Sequence, residues 1–329
     1  MSVERDKLLA VRTVLSTFHI YARSLMAPLE QRELTADGWV LDDPRVLRLL
    51  EKLRGKGVKL GEFVDGKFYY GIKTGYNDAF VIDDAKRLEL IAADPKSAEI
   101  IKPYLRGKDV RRWSINYKNL HLIFTRRGIR IDEYPVIKAY LETFRVGLEP
   151  KPRGWVPLKS SDKWPGRKEG TYKWFEIQDS IDYFDEFDSI KVIYPDMSFK
   201  CHFAIDESCL YPDCTLFTIP NSPRFLLPLL NSSLIEFFTL STTPRLESGA
   251  FRFKSIYLEQ LPIVTPTPAQ QIQLEGHTDD SRLDELNALV YEMYGLNAGE
   301  IALIESLTGG AAEALEEGVL EDEGEALEG

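Results

Sequence analysis

Tyr70-Gly71-Ile72-Lys73-Thr74-Gly75-Tyr76-Asn77-Asp78-Ala79-Phe80-Val81-Ile82-Asp83 sets a lysine between two glycines and flanks them with short apolar runs. Aromatic alternation over residues 67–72 predicts a strand. Gly71 and Gly75 predict a loop whose backbone turns tightly and approaches a partner closely. Residues 79–82 predict the returning strand. Lys73 in that loop is placed to reach a phosphate, the plain alternative being a solvated lysine in a hairpin.

Upstream, residues 5–32 have helical spacing (Leu8, Leu9, Val11, Val14, Leu15, Phe18, Ile20). A second helix should start at Asp42 or Asp43 with Pro44 in its first turn, and end at Gly55 and Gly57. Downstream, the pattern predicts helices at 87–93 and 97–105, a strand at 121–125 and a helix at 134–148. Residues 149–173 form a basic loop broken by prolines and glycines and carrying Trp155 and Trp164. A loop of that length in a compact domain is functional or disordered, and the tryptophans favour function. Strands return at 190–194, 203–205 and 215–219, followed by an apolar helix at 224–240 and a closing segment at 258–264. Pro262, Pro266 and Pro268 mark a boundary before a helical pair at 281–294 and 298–307, which should dock on a partner or back on the body. The fold class is α+β, a mixed small-sheet domain with flanking helices. The expected organisation is a helical lead-in (1–66), a main domain (67–265), the helical pair (266–308) and an acidic tail (309–329) without fixed structure.

The 329 residues carry a net charge of −11, which argues against a polyanion partner until its distribution is mapped. Residues 310–329 hold eight acids and no base; without them 44 acids face 41 bases, a net of −3. Residues 102–173 hold 18 Lys and Arg against 7 Asp and Glu, a net of +11. Salt screens charges beyond about 8–10 Å, so a polyanion feels the local field. No apolar run reaches the roughly 20 residues of a membrane span, and the first 30 residues lack a signal-peptide layout. Three cysteines fit a reducing compartment. The cytoplasm is the expected location, and no membrane partner is expected.

Catalytic motifs are missing. There is no P-loop, no Gly-rich strand-to-helix loop for S-adenosylmethionine or a dinucleotide, and no Asn/Asp-Pro-Pro-aromatic run. Acid-x-Lys tripeptides occur at 65–67, 84–86, 94–96 and 149–151, none a plausible strand away from the matching acid a Mg²⁺ nuclease needs. Cys201, His202, Cys209 and Cys214 lack the paired spacing of a zinc site and read as small buried hydrophobes. No metal site is expected.

Nucleic acid fits better. Residues 102–113 place Lys102, Arg106, Lys108, Arg111 and Arg112 beside Tyr104 and Trp113. Arg126, Arg127 and Arg130 follow the end of a predicted strand. Arg153, Lys159, Lys163 and Arg167 occupy the basic loop. Cations hold phosphates, arginine reads guanine edges, and aromatic rings stack on bases.

The 70–83 stretch resembles the opening motif of the TaqI-like C-terminal specificity domain. That domain occurs in type II restriction–modification enzymes with fused methyltransferases and in BREX-type phage-defence methyltransferases. Further blocks are similar and keep the family's order. They are Trp39 with residues 58–62, then 100–110 (Ile-Ile-Lys-Pro-Tyr-Leu-Arg-Gly-Lys-Asp-Val), 173–178, 191–195, and 229–232 with Arg252-Phe253 and 261–263. The resemblance covers about residues 35–310. It implies a sequence-specific DNA-recognition component of an adenine-N6 methyltransferase system, with double-stranded DNA and a methyltransferase subunit or domain as partners. Family members usually carry a large methyltransferase domain ahead of this point. Only a short lead precedes it here, so no catalysis and no cofactor are expected of this chain, and S-adenosylmethionine is expected on the partner. The implied DNA contacts are Lys73 and Tyr76, the phosphate clamps Lys102, Arg106 and Lys108, then Arg111 and Arg112. Base readers are expected among Arg126, Arg127, Arg130, Arg153, Lys159, Lys163 and Arg167. Asp109 is expected to orient an arginine, and Trp174, Phe175 and Leu261 to be core. Two other classes stay open: a diverged Mg²⁺-dependent nuclease or defence effector, and a protein-interaction module whose acidic tail mimics DNA.

Overall fold

The structure is a computed structural model that describes residues 43–159 and 161–308. The expected helix at 5–32, Trp39 and the acidic tail lie outside the described residues. The chain divides into two units, Met1–Gly55 and Lys56–Gly329. In the first, the helix Pro44–Arg54 forms where local chemistry predicts it. The Asp43 carboxylate accepts from the Arg45 N–H at 2.8 Å, Pro44 occupies the first turn, Lys52 and Arg54 sit in the last turn, and Gly55 ends it.

The second unit is built on short strands: β1 (Val58–Lys59), β2 (Tyr69–Tyr70), β3 (Val81–Ile82), β4 (Ile101–Leu105), β5 (Val110–Arg111), β6 (Ser114–Ile115), β7 (Leu120–Ile123), β8 (Lys191–Pro195), β9 (Met197–Ser198), β10 (Ala204–Asp206), β11 (Tyr211–Pro212), β12 (Leu216–Pro220), β13 (Phe251–Arg252) and β14 (Pro262–Ile263). Two four-stranded sheets carry the fold. The first runs β10-β8-β12-β2 and is antiparallel throughout. The second runs β11-β4-β7-β3 and is mixed, because β11 lies parallel to β4. Short pairs, β5 with β6, β9 with β13 and β1 with β14, complete the ladder. With its flanking helices this is an α+β fold.

The 70–83 stretch is not the hairpin its alternation predicts. β2 pairs with β12 in the first sheet, and β3 pairs with β7 in the second. Between them Thr74 Oγ1 accepts from the Tyr76 N–H and donates to Asn77 Oδ1, which starts a helical turn at Asn77–Phe80. That turn sends the chain across to a new sheet. The helix expected at 97–105 is also corrected. A 3-10 turn at Pro95–Glu99 leads into β4, whose Ile101, Tyr104 and Leu105 are buried between β7 and β11. Non-local pairing overrides local propensity there.

Among the described residues, apolar clusters back both large sheets. One gathers Ile72, Phe80, Leu122, Ile123, Ile137 and Phe187 beneath the second sheet. The other joins Leu105 and Val110 to Ile193, Ala204 and Leu216 of the first. At the edge of the first sheet the Lys191 ammonium meets Asp206 at 2.6 Å with both groups enclosed. Phe187 O accepts from the ammonium, and the Ser208 and Leu210 N–H groups donate to the carboxylate. Removing one partner of such a pair costs about 3–5 kcal/mol. A helix at Pro268–Glu275, begun by a Thr267–Gln270 capping box, was not evident from the apolar pattern. The helices Leu283–Tyr294 and Ala298–Thr308 dock back on the body. Asn287 bonds Ser233 through both amide atoms, and the Tyr294 hydroxyl donates to Pro262 O. Among the described residues no helix is long and apolar enough to cross a membrane.

Candidate nucleic-acid interface

The segment Pro212–Thr215 joins two glycine turns. Ile72 bridges Asp213 in parallel, and the Ile72 N–H donates to Pro212 O at 2.8 Å. On the other side the Asp213 N–H donates to Leu105 O at 2.8 Å, and the Asp213 carboxylate accepts from the Gly107 N–H at 3.3 Å. A Cβ on Gly71 would run into the Asp213 carbonyl oxygen, and one on Gly107 would run into Thr215 Oγ1. The close approach expected of Gly71 is therefore internal. It brings the Lys73 turn beside the Arg106–Lys108 turn. Lys73 also lies close enough to Cys214 to oppose the shift of that thiol, which burial pushes up to about 11.

A second set of bonds ties the Lys73 turn to residues 171–179. Gln178 N–H donates to Thr74 O at 3.1 Å and Asp179 N–H to Lys73 O at 3.2 Å. Gly75 adopts φ +78°, the left-handed region, with Gln178 packed over it. Arg127 donates to Thr171 Oγ1 at 2.9 Å and to Gln178 O, and lies over the Tyr172 ring.

The predicted cations divide into two groups on this frame. Lys108, Arg111, Arg126, Arg153, Lys159 and Lys163 are exposed and pair with no acid among the described residues. Arg111 covers the Lys108 and Val110 carbonyls and leaves the rest of its guanidinium to solvent. Arg126 lies 4.8 Å over Phe184. Arg130 is exposed and meets Glu133 at 2.6 Å, and Lys96 meets the same carboxylate at 2.9 Å. The Lys96 hydrogen bond, more than Arg130, holds the Glu133 carboxyl below the usual range.

The other group faces inward. Arg167 is 3% exposed, and its guanidinium donates to five backbone carbonyls: Leu148, Thr74, Glu176, Lys173 and Trp174. It staples the basic loop to the Lys73 turn and is unavailable as a base reader. Burial lowers its pKa to about 10, so the group stays charged at neutral pH. Arg112 is drawn to Asn231 O, to Asp280 at 3.1 Å and toward Glu236 at 3.9 Å. Trp113 Nε1 donates to the same Asp280 at 2.8 Å, so Arg112 anchors the β5–β6 hairpin to the C-terminal helices. Tyr76 packs on Gly147 and meets Phe144 edge-on, which makes it core rather than contact. Arg106 is half-buried and forked onto Asp109 (2.8 and 3.2 Å), the orienting role expected of that acid. The Arg112 and Arg167 assignments were hidden from the sequence because partners of theirs lie 119 and 93 residues away.

Lys102, Arg126, Arg127 and Arg130 line one cleft of about 530 Å³ with Phe124, Tyr134, Phe184 and Tyr211. Glu99, Glu133, Asp185 and Asp188 share it. The Lys102 ammonium lies 5.7 Å over the Tyr211 ring, and the Tyr211 hydroxyl donates to Asp188 at 3.1 Å. Burial, with Asp188 adding to it, keeps that phenol protonated. Aromatic faces, arginine donors and carboxylate acceptors together supply what an unstacked base offers to bind. Among the described residues no group of three His, Cys, Asp or Glu is arranged to hold a metal ion. Cys201 is buried, and Cys209 donates to Asp188 O.

A model of the TaqI-like C-terminal specificity domain matches residues 102–263, the segment that holds the basic stretch, β4 to β14 and most of the cleft. Over that segment the chain is similar to a TaqI-like C-terminal specificity domain. Type II methyltransferase M.BstVI of Geobacillus stearothermophilus is 23% identical over 277 residues, covering 81% of this chain and 46% of that protein. The chain thus spans about half the length of the relative it matches. The type IIL restriction–modification enzyme MmeI, solved in complex with DNA, is 17% identical with a TM-score of 0.46, covering 73% of this chain and 34% of that one.

Proposed function

We propose that this chain reads a DNA sequence on behalf of an adenine-N6 methyltransferase and is not itself catalytic. The observation that carries the reading is the coincidence of the specificity-domain match, 102–263, with the +11 segment 102–173. Lys108, Arg111, Arg153, Lys159 and Lys163 would hold phosphates, and Arg126 and Arg130 at the aromatic cleft would meet base edges. The missing Asn/Asp-Pro-Pro-aromatic run and Gly-rich cofactor loop support placing S-adenosylmethionine and the transfer step on a methyltransferase subunit or domain. That half would flip the target base. The specificity-domain match and the likeness to a type II methyltransferase support double-stranded DNA as the partner.

Binding to a random-sequence duplex, followed by fluorescence anisotropy from 50 to 300 mM salt, tests recognition. Affinity should fall steeply, with a log–log slope of about −0.9 for each phosphate neutralised. Absence of binding at 50 mM salt, alone and with the methyltransferase half, would falsify it. The assignment of chemistry is tested by N6-methyladenine formation. The methyltransferase half should need this chain for site preference, and this chain alone should transfer no methyl group.

A further inference from the structure

We infer that Leu158 is a wedge that enters a base step of bound double-stranded DNA, an inference that rests on the recognition reading above. Leu158 is 97% exposed, the most exposed large apolar side chain among the described residues, and Val156 beside it is 74% exposed. Leaving a leucine in water is unfavourable.

The loop beneath them is built to present them. Trp155 and Trp164 meet edge-to-face at 5.8 Å. Trp164 Nε1 donates to Glu149 O at 3.0 Å, and Lys151 lies 5.1 Å over the Trp155 ring. The loop's two ends are joined by Lys151 N–H to Arg167 O and Arg167 N–H to Glu149 O, and the buried Arg167 fixes that junction to the frame. Pro152, Pro157 and Pro165 restrict the chain further. Beyond Leu158 the Lys159 N–H donates to the Asp162 carboxylate, which closes a turn.

Charge selects the occupant. Asp162 is the single acid between residues 150 and 168, against Lys151, Arg153, Lys159, Lys163, Arg167 and Lys168. Arg153, Lys159 and Lys163 are exposed on the same loop as the leucine. An exposed apolar side chain on a loop of exposed cations matches a base step between phosphates, where a leucine would replace lost stacking while the cations grip the backbones.

The test uses the full chain on a duplex selected from a random library. Anisotropy gives affinity, and 2-aminopurine moved through the site reports unstacking as a gain in fluorescence. Wild type should give a gain at one step. Leu158→Ala should abolish that gain and weaken binding to the selected site about ten-fold, while binding to unrelated duplex stays unchanged. Leu158→Phe should keep the gain, and Lys159→Ala should lower affinity on every duplex without removing it. Wild-type binding with no unstacked position, or a gain that survives Leu158→Ala, overturns the wedge and leaves recognition intact. Loss of association with the methyltransferase half in Leu158→Ala, with unstacking unchanged, overturns it in favour of a protein contact. Wild type that binds no duplex refutes both readings.

Discussion

Arg167→Met tests whether this arginine holds the frame or touches DNA. Methionine keeps much of the volume and removes every donor. The guanidinium donates to five backbone carbonyls at 2.7–3.1 Å and lies 4.3 Å from the Tyr172 ring centre. Hydrogen bonds from a charged donor contribute about 1.5–3 kcal/mol each, so five at face value would give roughly 8–15 kcal/mol. That sum overshoots, because removing the buried charge also relieves a desolvation penalty of several kcal/mol. The net loss should be about 3–5 kcal/mol, a large share of the roughly 5–15 kcal/mol that holds a domain together. Lysine has three donors and no planar fork, so Arg167→Lys should recover less than half of it.

Urea unfolding followed by tryptophan fluorescence reads this directly, since the Trp174 carbonyl is one of the acceptors. The midpoint should fall with the slope unchanged. DNA affinity of the folded fraction should keep its salt dependence, because no phosphate contact has been removed. An unchanged urea midpoint, accompanied by a salt slope shallower by about one, would refute the reasoning and return Arg167 to the DNA surface.

Lys108→Ala and Lys163→Ala should each weaken binding on all sequences and flatten the salt slope by about 0.9, read by anisotropy across salt. Lys73→Ala and Arg111→Ala should do the same, and equal affinity in all four would place the interface elsewhere. Gly71→Ala should destabilise by about 3 kcal/mol or more, because the new Cβ meets backbone at Asp213 that cannot yield; a wild-type urea midpoint would contradict that packing. His121 is shifted below the usual imidazole value by burial first and by Arg87 second, and His277 by burial and Arg282. The unfolded chain therefore binds protons more readily than the folded one, and stability is lost as pH falls below about 6.5. Urea midpoints at pH 7.5 and 5.5 should diverge less in His121→Gln than in wild type, and an equal divergence would show that His121 does not contribute.

Legibility in the sequence tracked the distance to each residue's partner. The helix Pro44–Arg54 could be read whole because Asp43, Pro44 and Gly55 act within one turn. β8 was clear as an apolar run because all five of its residues are buried between β10 and β12. β4 was misread as helix, since its strand character comes from β7 and β11 rather than from Lys102 or Pro103. The cations were visible as a set, yet nothing local separates Arg167 from Arg153. One is enclosed by carbonyls from residues 74, 148, 173, 174 and 176, and the other stands in solvent.

The blocks that carry the family likeness are, physically, each other's packing partners. Gly71 and Gly107 close on Asp213–Thr215, and residues 173–178 receive Arg167 and the Lys73 turn. Each block needs the others in place. The exposed cations depend on none of these contacts. Arg153, Lys159 and Lys163 hang from a loop pinned at its base by Trp164 and Arg167, and Arg126 rests on the face of Phe184. Substitutions at the tip leave the frame's hydrogen bonds untouched. Substitutions at Gly71, Gly107 or Arg167 act on the frame and move the cation-bearing loops together. Sequence preference should therefore change through Arg126, Arg130 and Leu158 with little effect on stability, whereas changes to the frame should lower stability and affinity together, whatever the DNA sequence.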